Sequence, residues 1–185
     1  MGISYKNFWS FNPDEAVVTG ILRNFFKKEV GVFMPLDAQF KNIDLILINL
    51  KNRKSATLQV KGSRAYEPSK KELKLYGQSG SGGWFFINKE IIHRSNADFF
   101  IFLVYVILEK EKDGRRYIEP HTITIPTKKL KELCFEYKKP HPDNYSFYFR
   151  IHPRENRAFD WRDKEYDVSE YLDKKGFEGM VDTND

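Results

Sequence analysis

The fold turns on Asn42-Ile43-Asp44-Leu45-Ile46-Leu47-Ile48 and, after the polar connection Lys51-Asn52-Arg53-Lys54, on Ala56-Thr57-Leu58-Gln59-Val60-Lys61-Gly62. Two apolar runs separated by a short polar segment read as a β-hairpin, Ile43–Leu50 with Ala56–Gly62. Side chains two apart on a strand share a face, so Gln59 and Lys61 point one way and Leu58 and Val60 the other. A buried strand has no packing reason to carry an amide and an ammonium on one face. With Asp44 opening the partner strand, the hairpin gathers a carboxylate, an amide oxygen and a cation. That set can hold a divalent metal beside a phosphate and activate water there.

Upstream, residues 12–28 form the clearest helix. Asn12 can cap it, Pro13 suits its first turn, and Asp14 and Glu15 favour the positive end of its dipole. Val17, Val18, Ile21, Leu22, Phe25 and Phe26 then recur at helical spacing. Downstream, Ser69–Tyr76 is charged and weakly helical, Gly77–Gly83 reads as a glycine-rich loop, Trp84–Ile87 as a short strand and Glu90–Arg94 as a helical turn. Ala97–Leu108 is apolar on both faces and is expected at the centre of the sheet. Asp113-Gly114 turns the chain into Arg116–Ile118 and His121–Ile125. Thr127 is the expected cap of a helix over Lys128–Tyr137. Lys138–Asp143 reads as a linker, Tyr145–Ile151 as a late strand and Val168–Lys175 as a terminal helix. The expectation is an α/β fold, a central mixed β-sheet flanked by helices. It forms one domain over 1–185, with its core at about 12–137 and a C-terminal extension, 138–185, docked on it.

Composition narrows the function classes. Of 185 residues, 41% are hydrophobic and 16% aromatic, enough for a folded core. The single cysteine, Cys134, excludes an internal disulfide, and the scattered histidines lack the spacing of a zinc site. The longest apolar run, Phe99–Leu108, is about half a membrane span. With no signal pattern at the N-terminus, a cytoplasmic protein without membrane contact is expected. The net charge of +5 suits a polyanionic partner. Lys51, Arg53 and Lys54 fall in the hairpin turn, and Arg64, Lys70, Lys71 and Lys74 follow the Gln-x-Lys strand. These are the candidate phosphate contacts. Trp84, beside the glycine loop, is a candidate stacking ring.

The order helix, Asp-bearing hairpin, Gln59-Val60-Lys61, then a hydrophobic strand resembles the PD-(D/E)xK nuclease superfamily, most closely its Mrr-like Gln-x-Lys branch. The resemblance covers residues 12 to 135 and implies a restriction-endonuclease-like fold. It also implies a metal-dependent nuclease that hydrolyses DNA phosphodiester bonds, of restriction or defence type. The implied catalytic residues are Asp44, Gln59, Lys61 and Glu15. The implied ligands of Mg²⁺ or Mn²⁺ are Asp44, the Gln59 carbonyl or the Val60 backbone carbonyl, and Glu15. Ile43 stands where the family's name-giving proline would be, and neutral Gln59 leaves the site one charge short. Cutting both strands of a duplex needs two sites, so a homodimer is one expected assembly; RNA stays open as the polymer.

Plainer readings stand beside these. Asp44 can be a strand-start turn former, and Gln59 with Lys61 the wet face of an edge strand. Asn12 and Glu15 have the spacing of a capping box. The alternative function is a nuclease-fold nucleic-acid-binding or accessory subunit with weak or absent catalysis; a third reading is a protein-interaction module.

Overall fold

In the computed structural model of the chain, residues 12–36, 40, 42–66, 69–71, 74, 81–109, 113–139 and 142–182 are described. Helix α1 (Pro13–Phe26) starts where Asn12 Oδ1 accepts the Asp14 amide at 3.0 Å, with proline in the first turn. Its buried stripe is Glu15, Val18, Leu22 and Phe26, the helical repeat expected of a face turned to a sheet.

That sheet has five strands in the order β1 (Val30–Phe33), β2 (Leu45–Asn49), β3 (Ser55–Gly62), β5 (Phe99–Glu109), β6 (Arg116–Pro126). The β3–β5 pair is parallel and the other pairs antiparallel, so the sheet is mixed. Between β3 and β5 in the chain lie β4 (Ser81–Asn88) and the short helix α2 (Lys89–His93). Strand β4 joins a second, antiparallel sheet with β7 (Asn144–His152), β8 (Arg157–Asp160) and β9 (Tyr166–Asp167). Helix α3 (Thr127–Tyr137) follows β6, and 3₁₀ turns at Pro153–Glu155 and Ser169–Tyr171 precede the short helix α4 (Lys174–Phe177).

The five-stranded sheet is covered on both faces. Val18, Leu22 and Phe26 of α1 meet Leu45, Leu47, Leu58, Val60, Ile101 and Leu103 on one side. On the other, Phe100, Phe102, Val104 and Val106 meet Phe85, Ile87, Phe147, Phe149 and Ile151 of the second sheet, with Leu130 and Leu133 of α3. This double coverage is why β5 reads as a continuous apolar run. Cys134 lies in the second core, and burial pushes its thiol up to about 12, so it is an inert packing residue.

Several local expectations change. Gly82 and Gly83 belong to β4 rather than a loop, because rings occupy the space their side chains would need: a Cβ at Gly82 would meet Tyr148 at 2.6 Å. The remainder of the glycine stretch, 77–80, and residues 72, 73, 75 and 76 of the expected helical piece lie outside the described residues. Strand β6 is one element across Pro120. Thr127 does not cap α3; Pro126 holds that position and the Thr127 hydroxyl donates to Ala97 O at 2.6 Å. The terminal helix over 168–175 is instead a 3₁₀ turn and α4. The C-terminal segment is woven in: β7 pairs with all of β4, and Asn49 Nδ2 donates to the carbonyls of Val181 and Asp182 at 3.2 and 3.1 Å. Among the described residues, no helix is long and apolar enough to cross a membrane.

Candidate active site at the end of the third strand

Strand β3 outlasts its neighbour. The β2–β3 register ends with Leu45 opposite Leu58, leaving Val60 to Gly62 beyond β2. Asp44 fills the step: its amide donates to Leu58 O at 2.8 Å, and its Oδ2 accepts the Val60 amide at 2.8 Å. A residue's N–H and C=O leave a strand on the same side. The Val60 carbonyl therefore faces the same step, next to the Asp44 carboxylate.

The alternation expected for β3 is present. Ala56, Leu58 and Val60 pack under α1, and Gln59 and Lys61 take the other face. Lys61 is half-buried, whereas Gln59 is only 2% exposed. The Ser95 hydroxyl donates to the Gln59 amide oxygen at 3.5 Å, a long contact. The same hydroxyl accepts the Ala97 amide at 3.2 Å.

Glu15 is on the sheet-facing stripe of α1 and 9% exposed. The cap of α1 runs from Asn12 to Asp14. Asp14, read in the sequence only as a dipole partner, carries more of the site than that. Its Oδ2 sits 1.8 Å from where a Cβ at position 62 would be, so glycine after Lys61 lets the helix end reach the strand end. Its Oδ1 accepts the Tyr105 hydroxyl at 3.0 Å. Burial, reinforced by that hydrogen bond and the carboxylate's charge, pushes the Tyr105 phenol up to about 12. The signal available in the sequence was Gly62, since a glycine inside a strand marks close approach of another group.

Asp14, Gly62, Ser63, Arg64, Ala65, Tyr105 and Ile118 line an open cleft of about 490 Å³. A second, of about 540 Å³, shares Ala65 and Ile118 and adds Ile107, Arg116 and Tyr117. Arg64 is thus beside the site. Lys51, Arg53 and Lys54 are not: they stand at the other end of β3, with Lys54 paired to Asp182. From Lys54 to Lys61 is seven residues, roughly 23 Å at about 3.3 Å per residue. Lys70, Lys71 and Lys74 are exposed. His93 contacts Tyr145, His121 contacts Asp173, and His152 packs edge-on against the rings of Phe159 and Trp161, so none of these three joins the site.

The donors at the step are hard oxygens, the kind Mg²⁺ and Mn²⁺ take. Among the described residues, no three His, Cys, Asp or Glu side chains cluster as a metal cage. The set fits a cation that keeps most of its water and takes one carboxylate and one carbonyl from the protein, which is the habit of Mg²⁺. No family model matches the chain, and no curated protein or solved structure matches it either.

Proposed function

We propose that the chain is a restriction-endonuclease-like, PD-(D/E)xK-type nuclease that hydrolyses DNA phosphodiester bonds with Mg²⁺ or Mn²⁺. The observation that carries this reading is the step at the end of β3. Asp44 is held on the Val60 amide there, in register with the strand that bears Gln59 and Lys61. The parallel β5 beside β3, and an acidic helix start above it, support the same reading.

Asp44 and the Val60 carbonyl would hold the cation, with Glu15 adding charge through water. Bound there, the cation supplies Lewis-acid stabilisation of the phosphate and a more acidic water. The chain's own contribution is positioning. The Val60 amide fixes the Asp44 carboxylate. Lys61 orients the attacking water and offsets charge on the phosphate oxygens. Gln59, buried against Ser95, holds the strand face in place and brings no charge.

One observation favours a second reading, a nucleic-acid-binding subunit of the same fold without turnover: the residue at the acidic position is neutral and almost fully buried. Incubation with supercoiled plasmid and single-stranded DNA, with Mg²⁺ or Mn²⁺, decides between them. Nicking by the wild type that vanishes in Lys61→Ala supports the nuclease. Binding without nicking on any DNA form supports the second reading.

A further inference from the structure

The second sheet presents a strip of stacked rings on its outer face. Phe85 and Ile87 of β4 turn into the core, so Trp84 and Phe86 turn away from it. Trp84 lies opposite Tyr148 in register, and the two rings stack at 4.4 Å with planes 19° apart. Phe86 continues the stack, 6.2 Å from Trp84 and within 8° of parallel. Tyr66 closes the other end, edge-on to both Trp84 and Tyr148. Phe86 is 66% exposed and Tyr66 36%.

Cations accompany these rings. The Arg162 guanidinium lies 5.1 Å over Trp84. On the same face, Phe159 and Trp161 stack at 5.9 Å, with Arg157 4.5 Å over Phe159 while also pairing with Asp167. The strip is tied to the candidate active site, because the Ser63 hydroxyl accepts the Trp84 amide at 2.9 Å, two residues beyond Lys61. Arg64 and Tyr66 continue from that point toward the rings.

A single exposed ring needs no explanation. A graded stack ending in an exposed phenylalanine, with a guanidinium laid on it, is what unpaired bases and their phosphates require: π-faces for the bases and fixed positive charge for the backbone. Bases inside a duplex are already stacked and offer no face to such a strip.

We propose that the Tyr66–Trp84–Phe86 strip with Arg162 binds the unpaired bases of a single-stranded nucleic-acid segment and leads it toward the Lys61 end of β3. This deepens the function proposed above and rests on it only for where the strand leads.

The test is equilibrium binding by the full chain, in EDTA so that no cleavage intervenes, of a labelled oligothymidylate and of a blunt duplex of equal length. The expected result is tighter binding of the single strand, with Phe86→Ala and Phe86→Leu each weakening it about tenfold and Phe86→Tyr retaining it. Arg162→Ala should weaken it and flatten its salt dependence. Duplex binding should not respond. Both positions are exposed, and circular dichroism checks that the variants fold. Equal affinity for the two polymers, or loss with Ala but not with Leu, overturns the inference. So does a Phe86→Ala effect confined to the sedimentation coefficient, which would make the strip a contact between copies. Strip-dependent binding without cleavage would keep this inference and remove the nuclease. Cleavage of single-stranded DNA at subsaturating concentration, unchanged by the Phe86 variants, would do the reverse.

Discussion

The Val60 amide donates to the Asp44 carboxylate at 2.8 Å, and that bond places an acid where β3 runs past the end of β2 and keeps only β5 beside it. The contact has two separable consequences. As a charge-assisted bond it closes the strand end, and as an anchor it aims the second carboxylate oxygen. Asp44→Asn keeps an acceptor for Val60 and loses the charge, so it should melt within a few degrees of wild type and lack metal-dependent cleavage. Asp44→Ala loses both and should also unfold more easily, by about 1–3 kcal/mol. Thermal melts beside plasmid nicking check the pair. Nicking by Asp44→Asn at the wild-type rate would reduce Asp44 to a strand cap.

Gln59 offers a different handle, because it is neutral and almost fully buried. Gln59→Glu puts a carboxylate at the acidic position the resemblance calls for. Without metal that carboxylate is a buried, poorly solvated charge, and the variant should melt below wild type at neutral pH. Saturating Mg²⁺ should recover stability as RT ln(1 + [Mg²⁺]/Kd), and calorimetry should show tighter Mg²⁺ binding than wild type. If Mg²⁺ leaves the variant's melting temperature unmoved, position 59 does not face the cation.

What could be read in the sequence, and what could not, follows from the range of the forces involved. The start of α1 was legible in Asn12 and Pro13, and the hairpin in its two apolar runs, because caps and alternation are local. Phe99–Leu108 was expected at the centre of the sheet; β5 is an interior strand between β3 and β6, with β3 in the middle, and its apolar run was legible because both its faces are covered. Gly82 and Gly83 misled, since their reason for being glycine is the Tyr148 and Phe85 rings and, for Gly83, Ser63 as well, partly from a strand some 60 positions later. Thr127 looked like a cap, and its hydroxyl was claimed by Ala97. Asp14 and Glu15 are adjacent in sequence; only the rotation of α1 settles that Asp14 rests on Gly62 while Glu15 is buried under the helix. Lys51–Lys54 looked close to Lys61, and the length of one strand separates them.

That separation can be tested. Charge neutralisation of the turn by Lys51→Ala, Arg53→Ala and Lys54→Ala together should leave cleavage within about twofold, since most surface substitutions away from a site are nearly neutral. Arg64→Ala, in the cleft beside Gly62, should weaken DNA binding and lower the slope of log K against log salt by about one. A turn variant that loses binding as strongly as Arg64→Ala would place the DNA across the far end of the sheet.

His152 gives the fold a pH dependence of known sign. It is buried, with Phe159 and Trp161 edge-on to it. Burial first, then the Arg150 guanidinium and Arg157, hold it below the ordinary imidazole value of 6.5, with Glu155 opposing them. A depressed folded value means that the unfolded chain binds the extra proton first. The contribution is therefore complete above about pH 6.5 and is lost as pH falls through the window below it. His152→Phe removes the titration and should flatten the fall in melting temperature between roughly pH 7.5 and 5.5. An unchanged slope would assign acid sensitivity to other groups.

The closeness of Asp14 to Gly62 calls for a cycle rather than a single variant. Gly62→Ala would bring a methyl within 1.8 Å of Asp14 Oδ2 and 2.2 Å of its Cγ. The carboxylate must then leave the Tyr105 hydroxyl or α1 must lift, at a cost of about 1–3 kcal/mol, the usual range for overpacking. A lifted α1 also carries Glu15 away from the strand end, so cleavage should fall with stability. Asp14→Ala alone gives up the bond from Tyr105 and costs about 1 kcal/mol. In the double variant the new methyl has space, so the two losses should not add. We expect the double variant to be more stable than the sum predicts by at least about 1 kcal/mol, well outside the few tenths seen for independent sites. Denaturant unfolding of the four proteins measures that difference directly. Additive losses would mean that α1 does not rest its Asp14 on the end of β3.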